Sequence, residues 1–164
     1  MEIIVKPIKI TKENFAEFGD VISPDNVKPM NINAGYAKRF DNLAHIDFAK
    51  DKGEPVVSIF SALKRSFPMK IDMMEKHPLG SQAFIPMIET TFLTFVAPKG
   101  DAPDIKKIQS FIVPPRIGIN YKTAIWHFPL ISTENTDFLV IDRKGQGKNL
   151  VVHKFEKEKI ILEY

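Results

Sequence analysis

The sequence predicts a mainly β fold, a sandwich or barrel carrying one or two short helices. Two observations point there. Short apolar runs recur at intervals of roughly ten residues, separated by Pro, Gly, Asn and Asp, which is the spacing of all-β sandwiches and barrels. Twelve prolines in 164 residues also work against long helices.

In chain order the strand-like runs are "EIIVKPI", "VVSIFSAL", "PMKIDMM", "QAFIPM", "TFLTFVA", "QSFIVP", "AIWHFPLI", "DFLVIDR" and "NLVVHKF". Thr11 to Phe18 is the best helix candidate: Thr11 suits a cap, Glu13 the first turn, Phe15 and Phe18 one face, and Gly19 the end. A second helical turn is expected at Asp104 to Lys107, after Pro103. "TFLTFVA" is apolar on both faces, so it should be a central strand. In "AIWHFPLI", alternation sends His127 to the side of Ile125 and opposite Trp126. The tail "KFEKEKIILEY" mixes charges and reads as a solvated strand edge or end segment. No repeat, linker or low-complexity block divides the chain, so a single domain over residues 1–164 is expected.

Composition excludes several function classes. Hydrophobic residues are 44% and charged residues 26%, as in a soluble globular protein. A net charge of +3, with both signs scattered, offers no basic tract for nucleic acid. The absence of cysteine removes disulfides, thiolate nucleophiles and thiolate metal sites. "MEIIVKPIKITKENF" lacks the apolar run of a signal peptide, and no segment approaches the ~18 apolar residues that span a bilayer. The expected location is the cytoplasm, with no membrane partner.

Polar residues beside apolar strands mark four clusters. They are "NINAGYAKRF" with Asn33 and Arg39; "KHPLGSQAFIPM" with His77, Ser81 and Gln82; "GINYKTAIWHF" with Asn120, Tyr121 and His127; and "DFLVIDRKGQG" with Asp142 and Arg143. Each has a plain structural reading too. Asn33 suits an ordinary turn, Arg39 and Asp142–Arg143 suit surface or local pairing, and His127 suits a core histidine bonded to a carbonyl. No cluster matches a nucleotide loop or zinc signature.

Together these four stretches resemble, in order and spacing, the ureidoglycolate lyases (also called ureidoglycolate hydrolases), from about residue 3 to about residue 150. "HPLGSQAFIP" is the most specific element. The resemblance implies a cupin-like double-stranded β-helix or jelly-roll barrel, commonly homodimeric, acting in allantoin and purine catabolism. It implies a lyase that cleaves (S)-ureidoglycolate to glyoxylate and urea.

That reaction needs a cation for the carboxylate, a base for the hydroxyl proton, an acid for the departing nitrogen, and groups matching urea. On the resemblance, Arg39 is the expected carboxylate clamp with Arg143 in reserve, and His127 the acid–base group. Gln82 and Asn33 would hold the urea end, Tyr121 or His77 would add a hydrogen bond, and Ser81 and Asn120 would complete the substrate contacts. No firmly bound metal is expected, because His77 and His127 show no accompanying carboxylate; a weak divalent site, nickel by resemblance, is the reserve reading. The chain departs from the family in placing Phe128 where a second histidine is usual after Trp126 and His127, Thr123 and Ala124 where a glycine is usual, and "LVVHKF" where an acidic run is usual after "DRKGQGKN". These departures leave two other readings in play, a lyase or isomerase for another small hydroxy acid and a non-catalytic binding module.

Overall fold

The computed structural model describes residues 2–25 and 27–164. Strands β1 (Glu2–Val5) and β2 (Ile8–Lys9) flank Pro7, which has no N–H to give a ladder. A run of turns leads into β3 (Gly19–Ile22), and β4 (Met30–Ile32) and β5 (Ala37–Arg39) form a hairpin. Then come β6 (Glu54–Ala62), β7 (Met69–Ile71), β8 (Met73–Lys76), β9 (Gln82–Pro86) and β10 (Phe92–Ala97). The chain closes with β11 (Gln109–Val113), β12 (Gly118–Tyr121), β13 (Trp126–His127), β14 (Ile131–Ser132), β15 (Thr136–Lys144), β16 (Val151–Lys154) and β17 (Lys159–Leu162).

Besides that two-stranded hairpin, three sheets result. The middle one runs β16–β8–β13–β10–β11–β2, with β14 also paired to β10; a second runs β3–β12–β9–β15–β6; a third runs β1–β17–β7. Two buried clusters show how they stack. Phe92, Val96, Phe111 and Val113 of the middle sheet meet Phe84, Ile119, Phe138 and Val140 of the second. Leu93, Phe95 and Trp126 of the middle sheet meet Ile71, Ile160 and Leu162 of the third. The fold is mainly β, with two largely antiparallel sheets facing each other as in a jelly-roll barrel; only the β11–β2 pair, at the edge of the middle sheet, is parallel. β10 is buried on both faces, as its unbroken apolar run predicts.

Three local expectations are corrected. Among the described residues there is no α-helix, and Thr11 to Phe18 forms turns. Thr11 and Asn14 exchange side-chain-to-backbone bonds, but the Phe15 carbonyl takes both the Phe18 and Gly19 N–H groups, and the chain turns into β3. Phe15 and Phe18 both enter the core, each contributing ~1.5–3 kcal/mol, and Gly19 lies so close to the Asn120 carbonyl that a Cβ would sit 1.9 Å from its oxygen. The expected helical turn at Asp104–Lys107 is present as a 3-10 turn, Ile105–Lys107, with the Asp104 side chain accepting from Lys106 N–H. "PMKIDMM" and "AIWHFPLI" each split in two, and β7 and β8 enter different sheets. The charged tail is no edge: β17 is the centre of its sheet, and Ile160 and Leu162 are fully buried.

Candidate metal and active site

Strand alternation sets the polar groups at one end of the space between the middle and second sheets. On β8, Met74 faces the third sheet, so Glu75 and then His77 face the other way. On the neighbouring strand, Trp126 joins Met74's cluster while Ile125 and His127 face inward. Glu75 and His127 are direct ladder partners, so their side chains stand side by side. Glu75, His77 and His127 each present one ligand atom, all within 4.8 Å of one another.

The two imidazoles are oriented alike. His77 Nδ1 lies 2.7 Å from the Asn149 carbonyl, and His127 Nδ1 lies 3.1 Å from the Ile125 carbonyl. Both Nδ1 atoms therefore donate, which leaves both Nε2 lone pairs free. His127 Nε2 is 3.6 Å and His77 Nε2 3.9 Å from Glu75 Oε1, and neither nitrogen has a hydrogen-bond partner among the described residues. Burial, followed by the neighbouring His127 charge, pushes His77 below the ordinary imidazole value, against opposing pulls from the Asn149 carbonyl, Glu75 and Asp142. Burial alone would raise the Glu75 carboxyl, but the His127 imidazole, then His77, outweighs it and holds the group low. The result is an anionic carboxylate beside two unpartnered imidazole nitrogens, the donor set of a two-histidine, one-carboxylate divalent site. Buried, unpartnered ring nitrogens aimed at one spot fit a metal ion.

A row of residues from the second sheet faces this triad. Tyr121 and Gln82 are ladder partners, and Gln82 Nε2 donates to Asp142 Oδ2 at 3.3 Å. The Tyr121 ring stacks on His127, 4.3 Å between centroids and 12° between planes. Its hydroxyl is bonded to Thr94 at 2.7 Å, and burial pushes the phenol up; the Thr94 bond offsets part of this and the Glu75 charge adds to it. Tyr121 thus holds the His127 ring in place.

The other expected residues are not brought to this end. Arg39 lies on the β4–β5 hairpin, which joins no other sheet; its side chain is 61% exposed and pairs with Asp41. Asn33 sits in a turn of the same hairpin with φ of 52°. Ser81 and Asn120 point to the opposite face of the second sheet, because each is one residue out of phase with Gln82 and Tyr121. There they fasten the segment 45–47: Asn120 donates to the His45 carbonyl, and Ser81 accepts from Asp47 N–H. Arg143 is on that face too, buried, donating to the carbonyls of Lys50 and Gln146. A guanidinium committed to carbonyls is not free to clamp a substrate. The expected lack of a metal-binding carboxylate is corrected by Glu75. The signal was present in "MEKHP": Glu75 and His77 lie two apart on a strand, so they share a face.

The family described as ureidoglycolate lyase matches residues 2–163. The chain belongs to the ureidoglycolate lyase family. A ureidoglycolate lyase of Pseudomonas fluorescens (strain SBW25) is 44% identical over 98% of this chain and 96% of its own. One of Pseudomonas paraeruginosa (strain DSM 24068 / PA7) is 44% identical over 94% and 92%. Among solved structures, a 3,4-ketoisomerase from Helicobacter canadensis aligns with a TM-score of 0.45 and 19% identity, over 80% of this chain and 87% of that one.

Two of the departures from the family pattern have structural accounts. Phe128 packs on the face away from His127, under the Arg65 guanidinium at 5.7 Å, so it leaves the triad untouched. Ala124 has φ of 65°, the left-handed region that glycine prefers, and its N–H donates to the His77 carbonyl at 2.9 Å. That bond ties the loop before His127 to the strand end bearing His77.

Proposed function

We propose that the protein is a ureidoglycolate lyase, releasing glyoxylate and urea by breaking the carbon–nitrogen bond of ureidoglycolate without an attacking water. The observation that carries this is the match to the ureidoglycolate lyase family over residues 2–163, joined to a two-histidine, one-carboxylate cluster at the end of the intersheet space. We further propose a cytoplasmic homodimer serving allantoin breakdown. The broad apolar face of β6 and its surroundings, including Val57, Ile59, Leu63 and Met87, supports a partner subunit.

Glu75, His77 and His127 would hold a divalent cation. When bound, such an ion supplies positive charge for the substrate's carboxylate and hydroxyl oxygens, the role expected of Arg39. The chain's own residues do the rest. The Asn149 and Ile125 carbonyls fix the imidazole tautomers, and Tyr121 fixes the His127 ring. Gln82, on the inner face beside Tyr121, offers carboxamide groups complementary to urea. His127 is then a ligand, not the free acid–base group expected from its type.

Incubating the purified protein with racemic ureidoglycolate and Ni²⁺ should yield glyoxylate and urea in equal amounts. Ammonia in place of urea indicates hydrolase chemistry, and release of no glyoxylate and no urea refutes the assignment.

A further inference from the structure

If both imidazoles are committed at Nδ1 to carbonyls and at Nε2 to a cation, neither can take the substrate's hydroxyl proton. The Tyr121 hydroxyl is bonded to Thr94 in a fully buried position, and a carboxamide such as Gln82 does not accept protons at neutral pH. Among the described residues of the facing sheet, Asp142 is the proton-accepting group that stands beside Gln82. Phe138 and Val140 of β15 are core residues of the intersheet space, so Asp142, next in phase, faces inward as well. Ala83 pairs with Ile141 on the outer side, which sets Gln82 and Asp142 next to each other on the inner side. The three side chains Tyr121, Gln82 and Asp142 form one cross-strand row opposite the triad, and the Asp142 charge is felt at His77. Asp142 is half-buried and makes no ion pair with a described residue.

We propose that Asp142 is the catalytic base of the reaction and returns the same proton to the leaving nitrogen, with Gln82 holding its other oxygen. This rests on the lyase reading above. The substrate hydroxyl gives its proton to the Asp142 carboxylate as the carbon–oxygen double bond of glyoxylate forms. The carbon–nitrogen bond breaks, its electron pair leaves on the urea nitrogen, and that nitrogen takes the proton from the Asp142 carboxyl. Asp142 ends ionised, and atoms and charge balance with no further reactant. Hydroxyl and nitrogen are attached to one carbon, so a single carboxylate can reach both. A positioned base of this kind contributes ~10²–10⁴-fold.

The test is Asp142→Asn, which keeps shape and the Gln82 neighbour but cannot accept the proton. In the Ni²⁺-loaded protein, kcat should fall ~10²–10⁴-fold while KM stays within about threefold. Ni²⁺ affinity by calorimetry should match wild type, since Asp142 is not one of the three ligands. Asp142→Ser, which also lacks the carboxylate, should show the same loss and serves if the Asn variant folds poorly. A variant that retains wild-type kcat overturns the proposal, as does a rate loss matched by an equal loss of Ni²⁺ affinity. A wild-type protein that makes no glyoxylate overturns the lyase reading itself, a result distinct from either.

Discussion

Metal addition to the purified protein should raise its thermal stability, because a cation gives two buried nitrogens a partner. His77 Nε2 and His127 Nε2 are buried without a hydrogen-bond partner among the described residues. Each such group costs the metal-free fold ~1–3 kcal/mol, so the pair stores about 2–6 kcal/mol that a cation can relieve. A ligand at a hundred times its Kd stabilises by ~2.7 kcal/mol, and ~2–4 °C per kcal/mol for a chain of this size gives about 5–11 °C. The assay is thermal unfolding in Ni²⁺, Co²⁺ or Zn²⁺ against chelator. Glu75→Gln is the control. It keeps the volume but removes the anionic donor, and should weaken affinity at least ~10-fold, shrinking the shift by ~1.4 kcal/mol, or about 3–6 °C. A shift absent for all three ions, or undiminished in Glu75→Gln and His127→Ala, would refute the reading of these nitrogens as ligands.

Three further outcomes follow from the geometry. His127→Ala in a folded, Ni²⁺-supplemented protein should reduce glyoxylate release at least ~10²-fold, and an unchanged rate removes His127 from the mechanism. Ala124→Gly should stabilise the protein by about 1 kcal/mol, read as a melting point ~2–4 °C higher, because the left-handed backbone there strains a Cβ; a lower melting point contradicts this. Chelated protein should lose stability as pH falls below about 6.5, the ordinary histidine value, because His77 is held low in the fold and the unfolded chain therefore binds the proton first. That loss, followed by urea denaturation across pH 7 to 5, should be smaller in a His77→Asn variant.

Sequence patterning alone determined which side chains share a face. Alternation put His127 with Ile125 and against Trp126, placed β10 as a central strand, and gave Phe128 to the far side, all as the structure has them. The same rule applied to Lys76's neighbours links Glu75 to His77. These are facts about the backbone's two-residue period, and they hold before any strand finds its partner. Which strands pair is a different matter. Register between distant segments set Glu75 opposite His127, brought Tyr121 to Gln82, and carried Asp142 next to Gln82. Tertiary structure also decided what Arg39 and Arg143 do: one stays on an exposed hairpin and the other is used up on loop carbonyls. A guanidinium in the sequence carries charge but no address. Only the packing of distant segments assigns it one.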